Sequence, residues 1–219
     1  MGLRRTVLVF VKYPQPGRVK TRLATSVGPE RAAALYRQWI GIVLGNLQSL
    51  RGTSRLACCF DGGPREAFRD WHALADDWWP QPDGDLGDRL VAGFSAGFDS
   101  GAPVIAVGTD CLEIEAELVL EAFKALSYND VVFGPAADGG YYLVGTREFR
   151  PALFRSVRWS SPYTLSDHLL RCRDEGWSSC LLPMRHDIDT WDDWQAYLLR
   201  AGRPLEQNDD PCSRRPDAE

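Results

Sequence analysis

Val104-Ile105-Ala106-Val107-Gly108-Thr109-Asp110-Cys111 is the stretch on which the reading of this chain turns. Four apolar residues rich in β-branching predict a strand buried on both faces of a sheet. The run stops at Gly108 and places a carboxylate, Asp110, just beyond the strand, before an acidic helical segment opens at Ile114. In open α/β sheets, ligands bind beyond the carboxyl ends of the strands. Asp110 is therefore a candidate for holding a metal ion or a ligand hydroxyl, against the plainer role of capping the next helix.

Working outward, apolar strands are predicted at Thr6 to Val11, Arg55 to Phe60, Asp130 to Gly134, Tyr141 to Gly145 and Ser179 to Leu182. Between them the spacing of three and four predicts helices. One carries Tyr36, Trp39, Ile40, Val43, Leu44 and Leu47; the others are centred on Phe68 and Trp71, on Leu90, Phe94 and Phe98, and on Leu118, Ala122 and Leu126. Two more follow, through Leu165, Leu169 and Leu170 and through Trp191, Trp194, Tyr197 and Leu198. The alternation predicts a three-layer α/β/α architecture around a mostly parallel mixed sheet, with a hairpin at the Asp138-Gly139 turn. A single domain is expected over residues 1–202, with a polar, proline-containing disordered tail over 203–219.

After the first strand comes Lys12-Tyr13-Pro14-Gln15-Pro16-Gly17-Arg18-Val19-Lys20-Thr21-Arg22, a proline-broken loop with four cations. Cations there suit a phosphate chain, with Gly17 permitting close backbone approach. It is neither a Walker loop, since Val19 precedes Lys20, nor a G-x-G-x-x-G turn. Asp187 and Asp189 alternate, so an extended segment turns both carboxylates to one side. Their plainer role is to cap the last helix, and that of Asp138 is to make a turn. His186 has no second ligand at metal spacing and reads as structural. Gly93-Phe94-Ser95-Ala96-Gly97 matches the G-x-S-x-G nucleophile elbow in form, but its flanks are helical, which disfavours a hydrolase.

Composition is that of a globular protein, with 44% hydrophobic and 25% charged residues. A net charge of −5 argues against broad nucleic-acid binding. No apolar run is long enough for a membrane span or a signal peptide, and a cytoplasmic location is expected. The six scattered cysteines form no C-x-x-C pair and are expected to be reduced thiols.

Several motifs in order resemble the DUF2064 family of bacterial transferases. They are Phe10-Val11-Lys12-Tyr13-Pro14 with Pro16-Gly17-Arg18-Val19-Lys20-Thr21-Arg22-Leu23, Asp85-Leu86-Gly87-Asp88-Arg89, Gly108-Thr109-Asp110-Cys111, Gly134-Pro135-Ala136 with Asp138-Gly139-Gly140-Tyr141-Tyr142-Leu143, Trp159-Ser160-Ser161, and Asp187-Ile188-Asp189-Thr190. The resemblance spans roughly residues 6–200. Leu112 after the Asp-Cys pair and Gly41 in the first long helix depart from the family pattern.

The family is also called radical-SAM/selenodomain-associated transferases. It implies the GT-A fold of the nucleotide-diphospho-sugar transferase superfamily, with similarity to phospholactate and molybdopterin guanylyltransferases. By this resemblance Asp110 and Asp189 hold Mg2+ or Mn2+, Gly17, Arg18, Lys20 and Arg22 form the phosphate loop, and Gly87 lies near the nucleobase.

Two transfers follow as expectations, from a nucleoside triphosphate or a nucleotide sugar to a small-molecule acceptor. In nucleotidyl transfer, Lys20 and Arg18 oppose the charge of departing pyrophosphate. In glycosyl transfer, Asp138 serves as base or sugar contact. The basic first loop, and Gly108 in place of the first Asp of a D-x-D, favour nucleotidyl transfer. Nucleotide binding without catalysis is a third reading.

Overall fold

The computed structural model describes residues 5–207. Its seven-stranded sheet runs β3-β2-β1-β4-β6-β5-β7. The strands are β1 (Arg5–Lys12), β2 (Ser54–Asp61), β3 (Asp77–Pro80), β4 (Val104–Val107), β5 (Val131–Pro135), β6 (Tyr141–Thr146) and β7 (Ser179–Leu181). Only β6 runs against its neighbours, pairing antiparallel with both β4 and β5, so the sheet is the expected mostly parallel mixed one. The helices are α1 (Thr21–Val27), α2 (Pro29–Asn46), α3 (Leu86–Ser100), α4 (Ala116–Ala125), α5 (Thr164–Asp174) and α6 (Trp191–Arg200).

Strand alternation divides the core between two layers. Val7, Val9 and Val11 pack with α2, α4 and α6, whereas Leu8 and Phe10 face α3 and α5. Cys58 and Cys59 on β2 likewise point into opposite layers. All five described cysteines are free; Cys212 lies outside the described residues.

Three local features differ from expectation. The short β3, Asp77-Trp78-Trp79-Pro80, was not anticipated because its proline fits only the sheet edge it occupies. α1 begins inside the basic stretch, at Thr21. Arg65–Leu74 is a 3₁₀ segment, whose three-residue repeat aligns the buried Phe68 and Trp71.

The G-x-S-x-G residues are helical, and their glycines serve packing. A Cβ on Gly93 would meet Phe10 at 3.0 Å, and one on Gly97 would meet Val104 at 2.9 Å. The pair lets α3 lie close on the sheet, and Ser95 is exposed on its far side, so no nucleophile elbow forms. Residues 203–207, expected within the disordered tail, are joined to the body by Arg31, which pairs with Glu206 at 3.1 Å, and by the Gln195 amide. The remainder of that tail lies outside the described residues. No helix among the described residues is long and apolar enough to cross a membrane.

On α5, His168 is fully buried among the rings of Phe133, Tyr141, Phe154 and Trp159. Its Nδ1 lies 3.0 Å from the Leu153 carbonyl, which selects the tautomer protonated there, and its Nε2 is buried without a partner. Burial lowers its pKa to about 4, outweighing the Leu153 bond and the neighbouring Asp167. The unfolded chain takes up this proton near pH 6.5 and the folded chain only near pH 4. Stability from this group is thus complete above pH 6.5 and is lost as pH falls toward 4, by on the order of 3 kcal/mol. Urea unfolding at stepped pH is expected to show this loss in the native protein. His168→Gln should flatten that window while leaving the later loss as Asp130, whose pKa is lowered chiefly by Ser178, is protonated.

Candidate active site

Three strands bring their carboxyl ends to one edge. β1 ends at Lys12, opposite Asp61 of β2, and β4 runs out through Gly108 and Thr109 to Asp110. Tyr36 of α2 ties these ends together. Its Oη accepts from the Lys12 backbone N–H at 3.2 Å and shares a hydrogen bond of 2.8 Å with Thr109 Oγ1. Burial, and then the charge of Asp110, raise the Tyr36 pKa to about 12, so the hydroxyl stays protonated.

Lys20 closes the edge. Its backbone is left-handed at φ 47° and ψ 46°, a conformation that costs a side-chain-bearing residue about 1–2 kcal/mol. That turn directs the ammonium inward. Nζ lies 2.9 Å from Asp110 Oδ1 and 3.1 Å from Asp189 Oδ1, and donates to the Ile188 carbonyl at 2.6 Å. The Trp39 ring centroid is 5.4 Å away. The lysine side chain is 6% exposed, beneath carboxylates that are 47% and 38% exposed. Burial pulls the Lys20 pKa down, but Asp110 and Asp189 outweigh it, and the ammonium is held charged.

The plainer role of three aspartates, helix capping, is taken by other residues. Glu115, not Asp110, stands at the N-cap of α4. Thr190 caps α6 in a capping box with Asp193, leaving Asp187 and Asp189 free of that task. Ile188, buried between them, donates its N–H to the Asp110 carbonyl at 2.9 Å and locks the segment to β4. Asp138 does take its turn role, accepting from Gly140 N at 2.9 Å.

Two cavities share Lys12, Tyr36 and Asp110 in their linings. The smaller, about 270 Å³, is lined by Arg18, Lys20, Arg22 and Asp189 besides those three, so the four cations of the first loop converge on one space. The larger, about 290 Å³, reaches over α3 between Phe10, Leu86 and Leu90, with Asp61, Gln81, Arg89 and Asp187 among its polar groups. Gly17 lines neither. It is exposed at φ 74° with nothing near its missing Cβ, so the turn and not close backbone approach requires glycine. Gly87 lines neither cavity as well; it packs under the Phe154 carbonyl, where a Cβ would overlap, and its neighbour Leu86 faces the cavity.

Among the described residues, no three His, Cys, Asp or Glu side chains are gathered closely enough to hold a metal by themselves. Magnesium asks for less, binding through one or two carboxylates together with substrate phosphates and water. The donor set fits that demand. Asp110 and Asp189 already converge on one cation, the Lys20 ammonium, and Asp187 Oδ1 beside them is buried without a partner. Burial, then Asp110 and Asp138, push the Asp187 pKa up to about 7 against the pull of Lys20.

Sequence reasoning did not single out Tyr36, Asp61, Gln81 or Arg89. Asp61 carried the same signal as Asp110, a carboxylate at the carboxyl end of a buried strand. Its partner could not be read, since Arg89 Nη1 reaches it at 2.7 Å from a different helix.

A family model described as an uncharacterized protein conserved in bacteria, DUF2064, matches residues 44–161. No curated protein matches the chain. A protein from Desulfovibrio desulfuricans G20, provisionally described as a nucleotide-diphospho-sugar transferase, has a solved structure 34% identical in sequence. The alignment has a TM-score of 0.81 and covers 90% of this chain and 87% of that one. CMP:2-keto-3-deoxy-manno-octonic acid synthetase, solved with CTP, aligns at 13% identity and a TM-score of 0.59 over 91% of this chain and 98% of its own. Glucosyl-3-phosphoglycerate synthase of Mycobacterium tuberculosis was solved with Mn2+, uridine diphosphate and glucosyl-3-phosphoglycerate. It aligns at 12% identity and a TM-score of 0.57 over 93% of this chain and 81% of its own. The architecture is the GT-A-like fold of nucleotide-diphospho-sugar transferases.

Proposed function

The chain belongs to the DUF2064 family, and from that premise we propose that it is a cytoplasmic, metal-dependent nucleotidyltransferase. It passes a nucleotide from a nucleoside triphosphate to a small phosphorylated or hydroxyl acceptor. The observation that carries this reading is the convergence of Lys12, Arg18, Lys20 and Arg22 on one cavity bordered by Asp110 and Asp189. Four cations in one space suit a polyphosphate better than the single diphosphate of a nucleotide sugar. A solved structure of the same fold that holds CTP lends support, and one that holds Mn2+ with uridine diphosphate supports the metal-bound nucleotide common to both transfers.

In this reading Asp110 and Asp189, with Asp187 beside them, hold Mg2+ or Mn2+, which when bound neutralises phosphate charge. The base and ribose occupy the larger cavity. Asp61, Gln81 and Arg89 supply the polar contacts there. The acceptor oxygen attacks the α-phosphorus in line, forming the new P–O bond as the bond to the β-phosphate oxygen breaks. Lys20 and Arg18 hold the departing pyrophosphate and oppose its charge.

Hydrolysis with water in place of the acceptor tests the reaction class. With Mn2+ and a nucleoside triphosphate, slow release of nucleoside monophosphate and pyrophosphate is expected. Release of nucleoside diphosphate and free sugar from nucleotide sugars, with triphosphates left intact, would assign glycosyl transfer instead. Metal-dependent binding with no turnover of either would leave a nucleotide-binding protein.

A further inference from the structure

The geometry points to Lys20 as the built-in rival of the divalent cation: its ammonium and the metal are alternative occupants of one oxygen cage, and loading the metal expels Lys20 toward the polyphosphate. This rests on the reading of Asp110 and Asp189 as metal ligands. The ammonium lies within 2.6–3.1 Å of two carboxylate oxygens and a carbonyl oxygen, a donor set that suits a hard cation as well as it suits a lysine. Lys20 is also buried there on a left-handed backbone, a local strain that the contacts within the cage offset.

A doubly charged ion and an ammonium cannot share that space, because the repulsion of like charges at such distances exceeds what either gains from shared ligands. The expelled side chain has an adjacent place to go, the cavity it already lines with Arg18 and Arg22. There a triphosphate gives back the charge partner it has lost. Metal and polyphosphate therefore assist each other's binding, reciprocally, through one lysine.

The sequence contains three lysines, and the other two, Lys12 and Lys124, are exposed, which makes the exchange readable on the native protein. A pulse of acetic anhydride, read by mass spectrometry, is expected to leave Lys20 unmodified without metal. With saturating Mn2+ and no nucleotide, modification of Lys20 should rise toward that of Lys124, which stays constant. In parallel, Lys20→Met is expected to bind Mn2+ about tenfold more tightly than the native protein in the absence of nucleotide, by electron paramagnetic resonance.

If Mn2+ binds but Lys20 stays shielded, or Lys20→Met binds no more tightly, the exchange is overturned while the metal site stands. If neither protein binds Mn2+ with or without a triphosphate, the metal reading falls and the exchange with it. Should Lys20→Met fail to fold, the labelling of the native protein decides alone.

Discussion

Replacing Asp110 with alanine is expected to leave the protein folded and to slow pyrophosphate release by about a thousandfold, equivalent to roughly 4 kcal/mol of transition-state stabilisation. The side chain is 47% exposed at the end of β4 and caps no helix, so its loss opens no cavity. Lys20 keeps its contacts with Asp189 and the Ile188 carbonyl. The change thus falls on charge at the site and not on packing. Thermal melting should separate the two effects. Native protein with Mn2+ and a triphosphate at about a hundred times its dissociation constant gains about 2.7 kcal/mol, and Asp110→Ala should gain almost none; its unliganded melting point falls, because the buried Lys20 ammonium keeps only Asp189 as a charge partner. An alanine variant that turns over at the native rate would remove Asp110 from the machinery.

Gly139→Ala is expected to be the most damaging small substitution, costing about 3–4 kcal/mol of stability. Two independent causes add. The residue sits at φ 89°, where a Cβ is strained in any surroundings. That Cβ would also lie 2.7 Å from the carbonyl carbon and Cα of Pro162, and these are backbone atoms that no rotamer change can move aside. The Gly139 carbonyl further accepts from Leu165 N at 3.0 Å, so the turn is fastened to the first turn of α5 and cannot swing away. The adjacent Gly140 is the control. A Cβ there meets only the Asp138 carboxylate, at 3.1 Å, and Gly140→Ala should cost within about 1 kcal/mol. Urea midpoints of the two variants measure the contrast directly; equal midpoints would show that neither the strain at φ 89° nor the packing against Pro162 carries energy.

The architecture was legible because it is written in short-range patterns. The buried run Val104–Val107 followed by Gly108 and Asp110 announced both the strand and the sheet edge that carries the proposed site, and the order of the motifs announced the family. What the sequence could not disclose is the state of individual charges. Lys20 reads as one of four loop cations, and its burial is made by Ile188 and Asp189, far along the chain. The same holds for Asp187. Its alternation with Asp189 was visible, but the loneliness of its Oδ1 depends on what the fold sets around it. Helix capping was equally ambiguous from sequence, since Asp, Thr and Glu are all plausible first residues. Only the observed Thr190–Asp193 box released the earlier aspartates from that role. Gly17 was expected to admit a phosphate and Gly87 to lie near a nucleobase, yet the glycine serves a turn in one and a packed carbonyl in the other.

The bridge between Lys20 and Asp189 spans 169 positions of sequence. A ribosome adding about 5–20 residues per second needs on the order of ten to thirty seconds to supply the second partner after the first. Throughout that interval the nascent chain carries its cations without the carboxylate that completes their cage. The proposed centre is thus among the last features to come into being, and an interrupted translation product that ends between residues 182 and 188 has all seven strands but lacks Asp189.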